Sequence, residues 1–438
     1  MPEFVDLFVK FIRKYRDMLA PDRSLKLSIM DDVRGTILDC WNEVPDLKSP
    51  SFEAVAVDSS TASRRLSDGS IIHLSRAMAL PTRGEPVRLL YVERFYYCGG
   101  STQLSSYYGI WREYLEFTAA YKAAEELEGE GLQLVLVDGS LYGRLLHVPK
   151  DMPVEGNADL HLKFIESYWR LMRRCRKLGV WPVGISKDSR SQILKNHVLD
   201  LIFNSRIEDV EGELQDRLKD IWFQAKIHKS RALREFQSLN EAPQWFKELF
   251  LIYMSHLPDF RLIQMISRKP GYTTPLLLGL TMHMAKRWDR LRRAESYVKT
   301  GFPRSIHGKD ESYVRWAVKQ IRRLLGMPAI VTTYLVPGAG DIPLRIDLPA
   351  WVVGLKDKLG DVNGLVPLDP GLDGFRKVLR AILSMYAGPK NYNVLLSRVD
   401  SRVRITRRVF DRVYERILER ELDIIIAHER RYRRVKYP

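Results

Sequence analysis

The chain has 438 residues, with 70 lysines and arginines against 54 acids, a net charge of +16 and 45% hydrophobic residues. That balance excludes an intrinsically disordered chain, and no apolar run is long enough to cross a bilayer. The opening residues have helical period and early acids, unlike a signal peptide. Three scattered cysteines, Cys40, Cys98 and Cys175, make neither a zinc pattern nor a disulfide framework, which points to a reducing cytoplasm. The surplus of positive charge points to a polyanionic partner, nucleic acid first.

In chain order, residues 2–20 predict an amphipathic helix, with Phe4, Phe8, Phe11, Tyr15 and Leu19 near one face. Asp22 or Ser24 suits the cap of a second helix running toward Trp41. Both helices are expected to pack on the domain that follows. Residues 52–57, 71–77 and 87–97 predict three strands. A helix over 104–127, a strand ending at Asp138, a helix over 159–178 and a strand over 180–185 follow. Three strands, helix, strand, helix, strand is the element order of a ribonuclease H-like core, in which the first and fourth strands lie side by side. Residues 191–325 predict a mostly helical insertion, with a turn at Lys269–Thr273. Strand character returns at 329–336 and 343–348, then a helix over 371–386 and a long final helix from about Val394. The expected architecture is therefore α/β: a ribonuclease H-like core with a mixed sheet flanked by helices, a largely helical insertion and a long C-terminal helix. The expected boundaries are 1–45 for N-terminal helices, 50–190 and 326–405 for the two parts of the core, 191–325 for the insertion and 406–438 for a basic helix and tail.

Two strands end alike. Phe52–Ser60 reads FEAVAVDSS and Leu132–Leu141 reads LQLVLVDGSL, each a buried run closing on an aspartate. A charge at that place is costly unless solvated, paired or bound to metal. Either Asp58 or Asp138 alone reads equally well as the cap of the turn after its strand. As a matched pair they read as carboxylate ligands of hard divalent ions, the arrangement phosphodiester hydrolysis uses. A third ligand is expected from the helix between them, where Glu113 and Glu116 share a face; Glu116 is preferred, because Glu113 can pair with Arg112. Lys187 follows another buried strand and suits a phosphate or the developing charge, with Ser189 and Arg190 beside it. Two late acids compete for a fourth carboxylate. Asp347 has Arg345 on its own face, which favours a structural ion pair, and Asp400 lies near the start of the last helix. From Arg398 to Lys436 there are 13 basic and seven acidic residues. The interleaved Arg430–Arg434 segment, with Tyr432, suits stacked bases and phosphates. No GxxxxGK[ST], GxSxG or HExxH motif occurs, and no histidine pair has ligand spacing.

These residues resemble the NurA nuclease family. The matching features run in order: AVDSS with Asp58, WREYLE with Glu116, LVLVDGSL with Asp138, VGISKDSRS with Lys187, RIDLP at 345–349, and GPKNYNVLLSRVDSRVRI. The resemblance implies a manganese-dependent nuclease, with magnesium as the other candidate ion and two metals per site. It would trim DNA ends 5′ to 3′ and cut single-stranded DNA during double-strand break resection. It further implies a homodimer docked on a hexameric HerA-type ATPase. The metal carboxylates carried over are Asp58, Glu116 and Asp138. The late family segment reads Tyr-Pro…Ala-His, and here it runs Tyr392…Val399–Asp400, so Asp400 stands at the histidine position. The rival expectations are an inactive nucleic-acid-binding scaffold of the same fold and an RNA-directed ribonuclease.

Overall fold

The computed structural model describes residues 2–19, 27–44, 50–66, 68–127, 131–187, 189–239, 241–266, 269–280 and 288–422. The chain divides into two units, Met1–Cys40 with Ser191–Ile266 and Trp41–Arg190 with Ser267–Pro438. Residues 191–325, expected as one insertion, thus fall in both.

The larger unit is built on one mixed sheet. Its strands are β1 (Trp41–Asn42), β2 (Phe52–Arg65), β3 (Ile71–Pro81), β4 (Val87–Phe95), β5 (Leu132–Asp138), β6 (Trp181–Ser186), β7 (Gly271–Thr273), β8 (Leu276–Leu278), β9 (Ile330–Val336), β10 (Leu344–Pro349) and β11 (Leu365–Pro367). The order is β1-β7-β9-β10-β6-β5-β2-β3-β4, with β8 between β9 and β11. Within it, β4-β3-β2-β5-β6 is the ribonuclease H-like core. Strands β2, β5 and β6 are parallel neighbours, and β3 runs antiparallel beside β2. The segment 269–273, expected as a turn, contributes β7 instead. Gly271 makes this possible, because a Cβ there would lie 2.3 Å from Trp41 Nε1.

Alternate residues of a strand share a face. Ala54 and Ala56, Leu134 and Leu136, Val183 and Ile185, and Ile346 and Leu348 form one core face. It is covered by Val378, Leu379 and Ile382 of the helix Asp373–Ser384 and by Leu396 and Val399 of the helix Val394–Val403. Against β2 and β3 on the other face lies the helix Ser101–Glu125, with the helix Leu160–Leu178 packed on it.

The final helix is interrupted. It stops at Val403, where Arg76 donates from Nε to the Val403 carbonyl (2.7 Å) and from a terminal nitrogen to the Arg404 carbonyl (3.0 Å). The Ile405 N–H donates to Ser60 Oγ (2.9 Å), and Thr406 then caps a second helical run, Arg407–Leu422, whose middle is a π-turn. Side chains of β2 and β3 thus take the groups that a continuous helix would have paired internally. The Arg430–Arg434 segment lies outside the described residues, as do Asp22, Ser24 and Glu128–Glu130.

The smaller unit is helical. Ile193–Ile207, Gly212–Ile227, Lys229–Gln237, Gln244–Met254 and Asp259–Ile266 join the helix Ile29–Asp39. Lys195 is buried in it, its Nζ donating to the carbonyls of Ile252 (3.2 Å), Tyr253 (3.4 Å) and Ser255 (2.8 Å). The helix Pro2–Lys14 forms as expected, but among the described residues its apolar stripe is uncovered: Phe4, Phe8 and Phe11 are exposed.

Two glycines shape the turn after β5. Gly139 has φ +112°, a conformation that L side chains avoid. A Cβ at Gly184 of β6 would lie 2.7 Å from the Gly139 carbonyl oxygen. Gly184→Ala is therefore expected to cost about 1–3 kcal/mol in urea unfolding; an unchanged midpoint would show that the turn yields freely.

Candidate active site

The parallel strands set the site. Strand β2 pairs with β5 as far as Val57 and Val137, so Asp58 and Asp138 are the next residues, side by side on neighbouring strands. Both continue the apolar face: Ala54–Ala56–Asp58 on β2 and Leu134–Leu136–Asp138 on β5. Lys187 follows Val183 and Ile185 in the same way. Ligands of open α/β sheets gather at such carboxyl ends of parallel strands. The expectation that β2 ends at Asp58 is corrected: β2 continues to Arg65, paired with β3, and what ends there is its β5 neighbour.

The carboxylates crowd one another. Asp58 is buried, and its Oδ1 accepts from the Ser59 N–H (2.7 Å). Burial, then the charges of Glu116 and Asp138, push its pKa from 3.8 up to about 7. Burial also raises Asp138, against the opposing pull of the Lys187 charge and of the nearby Tyr392 hydroxyl. The Lys187 ammonium sits 4.6 Å from the centroid of the Tyr392 ring. Asp400, one residue beyond the core residue Val399, is close enough to raise both aspartates. It pairs with Arg404 one turn later.

Glu116 approaches from the other face. Ser59 Oγ donates to its Oε1, and Arg144 pairs with its Oε2. Burial raises its pKa although Arg144 and Ser59 oppose the shift. Glu113 differs: burial would raise it, but the His147 hydrogen bond (3.0 Å) and the Arg144 charge outweigh burial and hold it low. Arg144, in the short helix Leu141–Leu145 after β5, also donates to the Asp138 carbonyl (2.8 Å) and lies 5.0 Å from the Phe117 ring centroid.

Asp347 is fully buried on the face opposite Asp58 and Asp138. It accepts from Arg345 Nε (2.8 Å), Ser140 Oγ (2.6 Å), Thr332 Oγ1 (2.7 Å) and the Tyr142 N–H (3.1 Å). The RIDLP segment thus ties down the turn that carries Asp138. Arg190 is exposed and Ser189 half-buried. Residue identities gave no signal for Arg144. Tyr392 stood in the family-like segment without a role.

The donor chemistry fits a hard cation. Asp58, Asp138, Asp400 and Glu116 are oxygen donors, and the raised pKa values of Asp58, Asp138 and Glu116 express burial first and like charges second, both of which a cation would offset. Among the described residues, no three acidic, histidine or cysteine side chains converge tightly enough to hold an ion as they stand. Arg144 and Ser59 hold Glu116 to themselves, and this contact must open for Glu116 to serve as a ligand.

The sheet has ribonuclease H order, with two carboxylates at the ends of its adjacent parallel strands, which places the chain in the ribonuclease H-like fold class. The NurA domain family matches residues 52–405, and the chain belongs to the NurA family of nucleases. Among solved structures, the NurA nuclease from Sulfolobus solfataricus aligns over 96% of this chain and 98% of its own, at 12% identity and a TM-score of 0.53. A NurA structure bound to dAMP and manganese aligns over 98% of each chain, at 17% identity and a TM-score of 0.44. No curated protein matches the sequence. Among the described residues, no helix is long and apolar enough to cross a membrane.

Proposed function

We infer that the chain is a manganese-dependent deoxyribonuclease that resects DNA ends 5′ to 3′ and also cuts single strands. The observation that supports this most is the side-by-side placement of Asp58 and Asp138 on neighbouring parallel strands. Asp58, Asp138 and Asp400 would hold the ion, with Glu116 joining once Arg144 releases it. When bound, a divalent ion supplies an activated water and charge neutralisation at the phosphate. Tyr392 stands beside the Asp138 carboxylate and seats the Lys187 ammonium on its ring, where Lys187 would meet the scissile phosphate. Magnesium is the alternative ion.

The sequence has no P-loop, so processive work on duplex calls for a motor. We assign that part to a hexameric HerA-type ATPase acting on a homodimer of this chain, as the family resemblance implies. Matched end-labelled DNA and RNA oligonucleotides in manganese test the substrate. DNA should be cut and RNA spared; equal cutting of both would make this a ribonuclease of the same fold. Duplex resection that a hexameric ATPase leaves unchanged would remove the motor. One observation favours a second reading, an inactive DNA-binding scaffold: Glu116 is already held by Ser59 and Arg144. Cleavage in any divalent metal excludes it.

A further inference from the structure

The larger unit carries a second feature, remote from the carboxylates. A pocket of about 190 Å³ lies between the helix Leu160–Leu178, the turn before β9 and the segment after β10. Pairing of Pro349 with Ile330, and of Leu134 with Trp181, places it where β5, β6 and β9 begin. Asp58 and Asp138 stand at the opposite ends of the parallel strands.

Two indoles, Trp169 and Trp351, line the pocket together with Arg173, Arg176, Lys356 and Lys358; Asp357 is the one acid. Trp169 is fixed from behind by Arg323, whose guanidinium lies 3.8 Å from its ring centroid and donates to Glu166 Oε1 (3.0 Å). Arg173 stands 5.0 Å from the same ring. The volume is smaller than the roughly 300–1,000 Å³ of pockets for drug-sized ligands. It suits one ring system, with the charged part of the ligand left at the rim.

Two indoles and four cations around a space of this size select an aromatic heterocycle that carries negative charge. We propose that this pocket binds one nucleotide unit, its base against the tryptophans and its phosphate at Lys356 and Lys358. Base–aromatic stacking and phosphate pairing are the two terms by which single-stranded nucleic acid is held without regard to sequence. The unit can come from a free mononucleotide or from a DNA strand.

The test uses the full chain carrying Asp58→Asn, in EDTA, so that neither cleavage nor metal at the carboxylates contributes. This makes it independent of the nuclease reading, which stands or falls on cleavage in manganese. The probes are dAMP and a short fluorescein-labelled oligodeoxyadenylate. Lys356→Glu combined with Lys358→Glu should weaken binding of at least one probe about tenfold or more. It should also lower the salt dependence of oligonucleotide binding by about 0.7 in log–log slope for each phosphate that the lysines no longer neutralise. Trp351→Leu, which removes the aromatic surface, should weaken the same probe. Loss confined to dAMP identifies a free nucleotide, and loss confined to the oligonucleotide identifies a strand. Unchanged affinity for both probes, in variants that melt like the parent, would overturn the proposal. So would displacement of the oligonucleotide by polyglutamate at equal charge concentration, because the surface would then be one for acidic protein.

Discussion

Asp58→Asn should stabilise the metal-free protein at neutral pH while abolishing cleavage. In the folded chain the Asp58 pKa rises from 3.8 to about 7, through burial first and then the charges of Glu116 and Asp138. The folded state therefore binds this proton more tightly than the unfolded state. Stability contributed by the protonated form is present below about pH 4 and is lost as pH rises toward about 7. At about 1.4 kcal/mol per pKa unit, the ionised carboxylate costs on the order of 4 kcal/mol at pH 8. Asparagine removes that cost. Urea unfolding in EDTA should show the variant more stable than the parent at pH 8, with the gap narrowing toward pH 4. Manganese should raise the melting temperature of the parent, because a ligand of the native state stabilises by mass action, and should leave the variant nearly unmoved. A variant no more stable than the parent at pH 8 would mean that the carboxylates do not repel as their placement implies.

Asp347→Ala acts by a different route. It removes the acceptor of five hydrogen bonds from a fully buried site and takes the carboxylate from the buried guanidinium of Arg345. Breaking a buried pair from one side costs about 3–5 kcal/mol, whereas replacing both partners with apolar residues is often neutral. Urea unfolding should show the full loss for Asp347→Ala and a smaller loss for Asp347→Leu with Arg345→Met. Cleavage should fall in both, since Ser140 and Tyr142 lose the anchor that holds the Asp138 turn. Equal losses in the single and double variants would show that the carboxylate acts alone rather than as a partner.

The core was legible because its strands are short, apolar and bounded by turns. FEAVAVD and LQLVLVD fix two buried strands, and the order of elements around them leaves few ways to close a sheet. Lys187 was legible for the same reason, as the first charge after an apolar run. What could not be read was which face each acid occupies. The ion pair of Asp347 with Arg345 was legible from their spacing, but the face they occupy was not. Only the register of β10 against β6, which pairs Asp347 with Gly184, puts Asp347 on the far side. Arg144 was invisible, since one arginine in a chain with many carries no pattern until the Asp138 turn folds it against Glu116. The continuous last helix failed for a long-range reason: Arg76 and Ser60, far back in the chain, claim its backbone at 403–405. The apolar stripe of Pro2–Lys14 shows the converse, a correct local reading whose face finds no cover among the described residues.

The central claim is that Asp58 and Asp138 hold the ion that cuts DNA. It is tested most directly by cleavage of end-labelled single- and double-stranded DNA in manganese, magnesium and EDTA, by the parent, Asp58→Ala and Asp138→Ala. The parent should cleave in manganese and not in EDTA, and either variant should lose on the order of a hundredfold to a thousandfold or more. Cleavage that survives both substitutions, or that persists in EDTA, would contradict the claim.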